Sequence, residues 1–138
     1  MIKLIEPLKK LIIDGLAVSG EEVEDQLFGG FCDCGSLMYQ RFWFAKESEK
    51  ILVSECDRCW KYKAMIFNSH SFVSHQSVDV IGKHDFIEFL QKTIGNREFE
   101  ALLRKSKNED FDPLHYSKAK KMLASMNLDV EEVLNQIK

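Results

Sequence analysis

The stretch FCDCGSLMYQRFWFAKESEKILVSECDRCWKYKAMIF, Phe31 to Phe67, decides how the chain is read. It carries two close cysteine pairs, Cys32-Asp33-Cys34-Gly35 and Cys56-Asp57-Arg58-Cys59, separated by a segment that alternates as strands do. Met38, Gln40, Phe42 and Phe44 alternate with Tyr39, Arg41 and Trp43, Lys46 to Lys50 is polar enough to turn, and Ile51 to Ser54 returns. Trp60, Tyr62, Ala64 and Ile66 then alternate with Lys61, Lys63, Met65 and Phe67, which describes a third strand leaving the second pair. A hairpin of this kind brings both pairs to its open end, where four thiolates can surround one ion in a tetrahedron. Gly35 stands where the chain must turn sharply, and backbone N–H groups in such turns donate to sulfur and offset its charge.

Cys-x-Cys-Gly, a strand hairpin, then Cys-x-x-Cys leading into another strand resembles a zinc ribbon, the rubredoxin-like arrangement of two metal knuckles on a small sheet. The resemblance covers about residues 31–67 and implies a structural Zn2+ held by Cys32, Cys34, Cys56 and Cys59. Iron, alone or as an iron–sulfur cluster, accepts the same four thiolates, and Tyr39, Phe42, Trp43, Phe44 and Trp60 would suit a shielded redox centre. A small sheet also needs large side chains simply to build a core.

Working outward, residues 1–30 read as an N-terminal amphipathic helix followed by an acidic turn. Leu4, Ile5, Leu8, Leu11, Ile12 and Leu16 fall at three- and four-residue spacing, with Lys9, Lys10 and Asp14 off the stripe. Glu21 to Leu27 reads as an acidic turn, and Gly29-Gly30 as a loop. Residues 31–81 form the ribbon, with a weaker last strand around Ser77 to Ile81. Residues 82–138 are helical: Phe86 to Ile94 follows an Asp85 cap and ends at Gly95, Asn96 caps a helix carrying Phe99, Leu102 and Leu103, Asp112-Pro113 starts a third, and Asp129 caps a fourth. The expected fold class is α+β: a small antiparallel zinc-ribbon sheet with an N-terminal helix and a C-terminal helical bundle, folding as one cooperative unit.

Composition narrows the function. The chain has 138 residues, 45% hydrophobic and 30% charged, with seven glycines and two prolines, so it folds as a globular unit. Its 19 Lys and Arg against 22 Asp and Glu, net −3, lack the basic excess of a dedicated duplex binder. No apolar run approaches the ~20 residues needed to cross a bilayer, and no secretory h-region is present, so the expected location is the cytoplasm, where paired cysteines bind metal more readily than they form disulfides. His70, His75, His84 and His115 are not at ligand spacing and read as surface residues. No phosphate-binding glycine loop, nucleophile elbow or paired-carboxylate motif occurs, and a four-cysteine site leaves no open coordination position for catalysis.

The expectation is therefore a non-enzymatic zinc-binding adaptor or regulatory subunit that docks on a larger protein or ribonucleoprotein complex, with no small-molecule substrate and no membrane insertion. Two alternatives stand beside it. One is a redox-responsive thiolate–zinc regulator of a partner enzyme. The other is a nucleic-acid-binding ribbon of transcription or translation machinery, in which Arg58, Lys61 and Lys63 clamp a strand beside Trp60 and Tyr62.

Overall fold

The computed structural model describes residues 2–138. Eight strands precede four helices: β1 (Ile2–Ile5), β2 (Lys10–Ile13), β3 (Leu16–Glu22), β4 (Phe28–Phe31), β5 (Leu37–Lys46), β6 (Glu49–Cys56), β7 (Tyr62–Phe67) and β8 (Phe72–Ile81), then α1 (Phe86–Ile94), α2 (Asn96–Ser106), α3 (Pro113–Ser125) and α4 (Val130–Ile137). The sheet order is β3-β2-β1-β8-β7-β6-β5-β4. Gly20 to Glu22 of β3 pair with Phe42 to Phe44 of β5 and close seven strands into a barrel, while β4 pairs with the other end of the same edge of β5. Neighbours are antiparallel except β1 and β8, which run parallel with Ile2 opposite Val78.

This corrects the expected fold class, a small ribbon sheet behind an N-terminal helix. Residues 4–16 are not a helix; they form β1, a single turn of 3-10 helix at Glu6–Leu8, β2 and the start of β3. The apolar stripe arises because these strands are buried on both faces. Leu4, Leu11 and Ile13 point into the barrel, whereas Ile5, Leu8, Ile12 and Ala17 point outward under the helices. Two-sided burial erases the alternation of period two, and the remaining spacing imitates a helical stripe. Pro7 sits in the 3-10 turn and Lys9 takes a left-handed conformation (φ 53°), so the chain reverses where a helix would continue. Asp14 and Gly15, with φ of 53° and 80°, make the two-residue turn of the β2–β3 hairpin, since both positions need positive φ and Asp-Gly accepts it.

The acidic turn and the glycine loop are corrected as well. Glu21 and Glu22 end β3, and Gly29-Gly30 lies within β4. The three-stranded ribbon sheet is absorbed into the barrel wall, and its last strand begins at Phe72, not Ser77.

The helices pack on one flank of the barrel. Phe86, Leu90, Leu102, Leu123 and Val133, each 2% exposed or less, meet Ile5, Leu8, Ile12 and Ala17 in one apolar cluster, each buried side chain contributing about 1.5–3 kcal/mol. The Ala17 N–H donates to the Met126 carbonyl at 2.8 Å, joining β3 to the end of α3. Asp112 caps α3 by accepting the Leu114 N–H at 2.9 Å, and Asp129 caps α4 through the Glu131 N–H at 3.4 Å. Among the described residues no helix is long and apolar enough to cross a membrane.

Candidate metal centre

Two chain reversals build the centre. The first links β4 to β5: the Cys32 N–H donates to the Ser36 carbonyl and the Gly35 N–H to the Cys32 carbonyl, both at 2.9 Å, with Gly35 at φ 91°. The second links β6 to β7: the Cys56 N–H donates to Lys61 at 2.9 Å and the Trp60 N–H to Cys56 at 3.2 Å. Because β5 pairs with β6 and places Met38 opposite Cys56, the two reversals emerge side by side at one rim of the barrel.

The four sulfurs converge. Cys32 Sγ lies 3.5 Å from Cys59 Sγ, Cys34 Sγ lies 3.5 Å from Cys56 Sγ, and all four lie within 4.8 Å of one another. A tetrahedral ion with metal–sulfur bonds of about 2.3 Å sets its sulfurs about 3.8 Å apart, so the cluster has the dimensions of a single-ion site. Four cysteines gathered this way can hold a metal ion. Cys32 and Cys56 are buried and form a small apolar cluster with Met38, while Cys34 and Cys59 are exposed. The backbone N–H groups of Arg58 and Cys59 both point at Cys56 Sγ from 3.4 Å, donating to the sulfur that is most deeply enclosed.

The electrostatics are those of crowded thiols. The Ser36 backbone N–H, helped by the Cys56 thiol, holds Cys34 down at about 6. At Cys32 the Cys34 N–H favours the thiolate, but burial and the three neighbouring thiols outweigh it and push the group up to about 11. One thiolate forms readily, and further negative charge in the same space is resisted until a cation compensates it.

The other residues singled out from sequence do not form one clamp. Arg58, Trp60 and Lys61 are exposed at the second reversal, Trp60 at 72% and with a left-handed backbone (φ 59°). Tyr62 points the other way, packs against the barrel interior, and burial pushes its hydroxyl up to about 12. Lys63 is mostly covered and donates to Asp33 Oδ1 at 2.6 Å, tying the first reversal to β7. His70, His75 and His84 are exposed, and His115 lies 3.6 Å from Asp112 on α3.

Sequence reasoning missed the rim around the cysteines. Phe28 and Phe31 of β4 are exposed at 56% and 68% and touch edge to face at 5.3 Å. They stand out because Gly29 between them lies flat on β6, where a Cβ would run into the Ser54 hydroxyl. The Phe-Gly-Gly-Phe pattern was the available signal.

Comparison with known proteins places this geometry. The AF0631-like N-terminal beta-barrel domain matches residues 1–80, and the AF0631-like C-terminal four-helix domain matches residues 83–136. The chain belongs to the AF0631-like family. An uncharacterized protein of Archaeoglobus fulgidus is 72% identical over all 138 residues of both chains. No solved structure matches. In this AF0631-like chain the cysteine cluster falls wholly within the barrel domain, which ends before the first helix begins.

Proposed function

We propose that the protein is a non-catalytic docking module in which one zinc ion, held by Cys32, Cys34, Cys56 and Cys59, fixes the barrel rim that meets a larger protein or ribonucleoprotein assembly. One observation carries this reading: four protein sulfurs close the site, and exposed apolar side chains stand on both sides of it. Phe31 immediately precedes Cys32 and Trp60 immediately follows Cys59. With four protein ligands no position is left for a reacting water, which supports a structural ion over a catalytic one. The short sulfur separations support a single ion over an iron–sulfur cluster, whose inorganic sulfides would need room between the thiolates. Solvent contact at Cys34 and Cys59 suits zinc, which has no redox chemistry to shield.

Elemental analysis of protein purified without chelator tests the metal: one zinc per chain is expected, lost on Cys56→Ser. Substoichiometric zinc, or a coloured protein with thiolate-to-iron absorption, defeats this reading. Docking is tested by affinity capture with wild type and Trp60→Ala. A defined complex retained only by wild type, with zinc unchanged in both, supports the reading; identical capture by both moves the interface away from the rim. Zinc released by hydrogen peroxide and rebound after thiol reduction would favour the redox-responsive regulator instead.

A further inference from the structure

The β7–β8 hairpin has a composition that neither the core nor the cysteine cluster explains. From Trp60 to Val78 the chain contains no aspartate or glutamate, and its basic residues are Lys61 and Lys63, with His70 and His75 in the same stretch. Acidic residues gather elsewhere on the barrel, at Glu21, Glu22, Glu24 and Asp25 around the end of β3 and at Glu47 and Glu49 in the β5–β6 turn. The acid-free stretch is bounded by Asp57 and Asp79, so the segregation is local to the hairpin and does not divide the whole barrel.

The outward surface of this hairpin and of β5 is aromatic, with Glu21 of β3 paired opposite Trp43 at the far end of the row. Trp43, Phe67 and Phe72 follow one another across β5, β7 and β8 with ring centres 6.1 and 5.7 Å apart, and Phe72 stacks on His75 at 6.3 Å with the rings 20° from parallel. At the end of this row a cleft of about 170 Å³ opens between Phe31 and Phe72, with Met65 among its lining and Lys63 and His75 beside it. Phe31 is 68% and Phe72 49% exposed. Asp33, the carboxylate lining the cleft, is already held by Lys63. The helices occupy the other flank and leave these rings uncovered.

Exposed rings bordered by lysine, histidine and the polar turn residues Asn68 and Ser71 match one kind of partner better than others. An apolar protein surface would leave Lys61 unmatched, Lys63 being held by Asp33, whereas a polynucleotide offers base faces to the rings and a phosphate to Lys61. In a duplex the base faces are hidden by stacking, so the rings require an unpaired strand. We infer that the outer face of the β7–β8 hairpin binds single-stranded nucleic acid, with Phe31 and Phe72 stacking on bases and Lys61 and His75 beside the sugar-phosphate chain. This inference depends neither on the identity of the metal nor on a protein partner.

The test is fluorescence anisotropy of the full-length, metal-loaded protein with labelled oligouridylate and oligothymidylate, and with a duplex of equal length. Saturable binding of one or both single strands is expected, weaker binding of the duplex, and a steady loss of affinity as salt rises from about 50 to 200 mM. Phe31→Ala and Phe72→Ala should each weaken binding about tenfold, the loss of one stacked base. Lys61→Glu should weaken it and flatten the salt dependence. Both phenylalanines are exposed, and unchanged circular dichroism and metal content in the variants confirm that only the surface has been altered. Absence of binding to either strand at low salt, preference for the duplex, or unaltered affinity in both phenylalanine variants would overturn the inference. Because zinc content and affinity capture are read separately, failure here leaves the docking proposal standing, and failure of that proposal leaves this one standing.

Discussion

The two flanks of the barrel solve the same problem in different ways. On the β1–β3 flank the outward side chains are Ile5, Leu8, Ile12 and Ala17, and four helices lie over them. On the β5–β8 flank the outward side chains are Trp43, Phe67, Phe72 and His75, and no helix covers them; the cysteine cluster at the rim and the short glycine strand β4 are the local cover. An aliphatic outer face is closed within the chain, while an aromatic outer face bordered by cations stays open. The difference separates stability from recognition: the first flank is a second hydrophobic core, and the second is a surface whose rings pack only on one another and stay partly open to solvent.

The sharpest way to break this contrast is to truncate one phenylalanine on each flank. Phe86→Ala, at a side chain 2% exposed, should cost about 3–5 kcal/mol of unfolding free energy. Phe72→Ala, at 49% exposure, should cost about 1 kcal/mol. Urea denaturation of both variants checks it, and equal losses would mean that the open flank is as much a core as the covered one.

A smaller effect sharpens the role of β4. Gly29→Ala places a methyl group against the Ser54 hydroxyl and the Gln40 backbone, so the expected cost is about 1–3 kcal/mol of overpacking. Because β4 leads directly into Cys32, the same variant should also lower metal retention in a competition with chelator. Loss of stability with metal retention unchanged would show that the strand and the cysteine cluster are independent.

The smallest effect concerns pH and the covered flank. Glu98 accepts the N–H of its own backbone at the start of α2 and faces Lys118 of α3 at 3.3 Å, and these hold its carboxyl below the usual range. A carboxylate depressed by folding stabilises the protein above its unfolded value, near 4.5, and that contribution is lost as pH falls through the folded value. Wild type should therefore melt above Glu98→Gln at neutral pH, with the gap closing under acid. A gap that stays constant from pH 7 to about pH 3 would assign the effect of the substitution to shape instead of charge.

Much of the molecule was legible where each residue obeyed a single environment. The helices after Gly82 have one buried face, and period and punctuation agree at Asp112-Pro113 and Asp129, whereas Asp85 makes no capping bond and Gly95, not Asn96, precedes α2. The cysteine pairs were legible because their chemistry is local and their strands alternate. The N-terminal strands were not, because burial on both faces removed the alternation by which strands are recognised. The Asp14-Gly15 turn was the signal that could have corrected the reading, since it demands a hairpin between Ile13 and Leu16. The aromatic row was illegible for another reason: Trp43, Phe67 and Phe72 belong to three strands, and the register of the β5–β6–β7–β8 meander, independently of the closure of the barrel, sets them side by side.

That closure has a consequence for how the chain acquires its shape. Ile2 to Ile5 find their parallel partners at Val78 to Ile81, nearly the whole length of the barrel away along the chain, and the outer faces of β1 and β2 find theirs later still, in the helices. On a ribosome the first apolar strands emerge long before anything that can shelter them. Contacts of such long sequence separation slow folding, and strands left unpaired in the interval are exposed to association with other chains. The early hairpin at Asp14-Gly15, which forms from its own neighbours, satisfies one edge of each strand while the rest of the barrel is still being made.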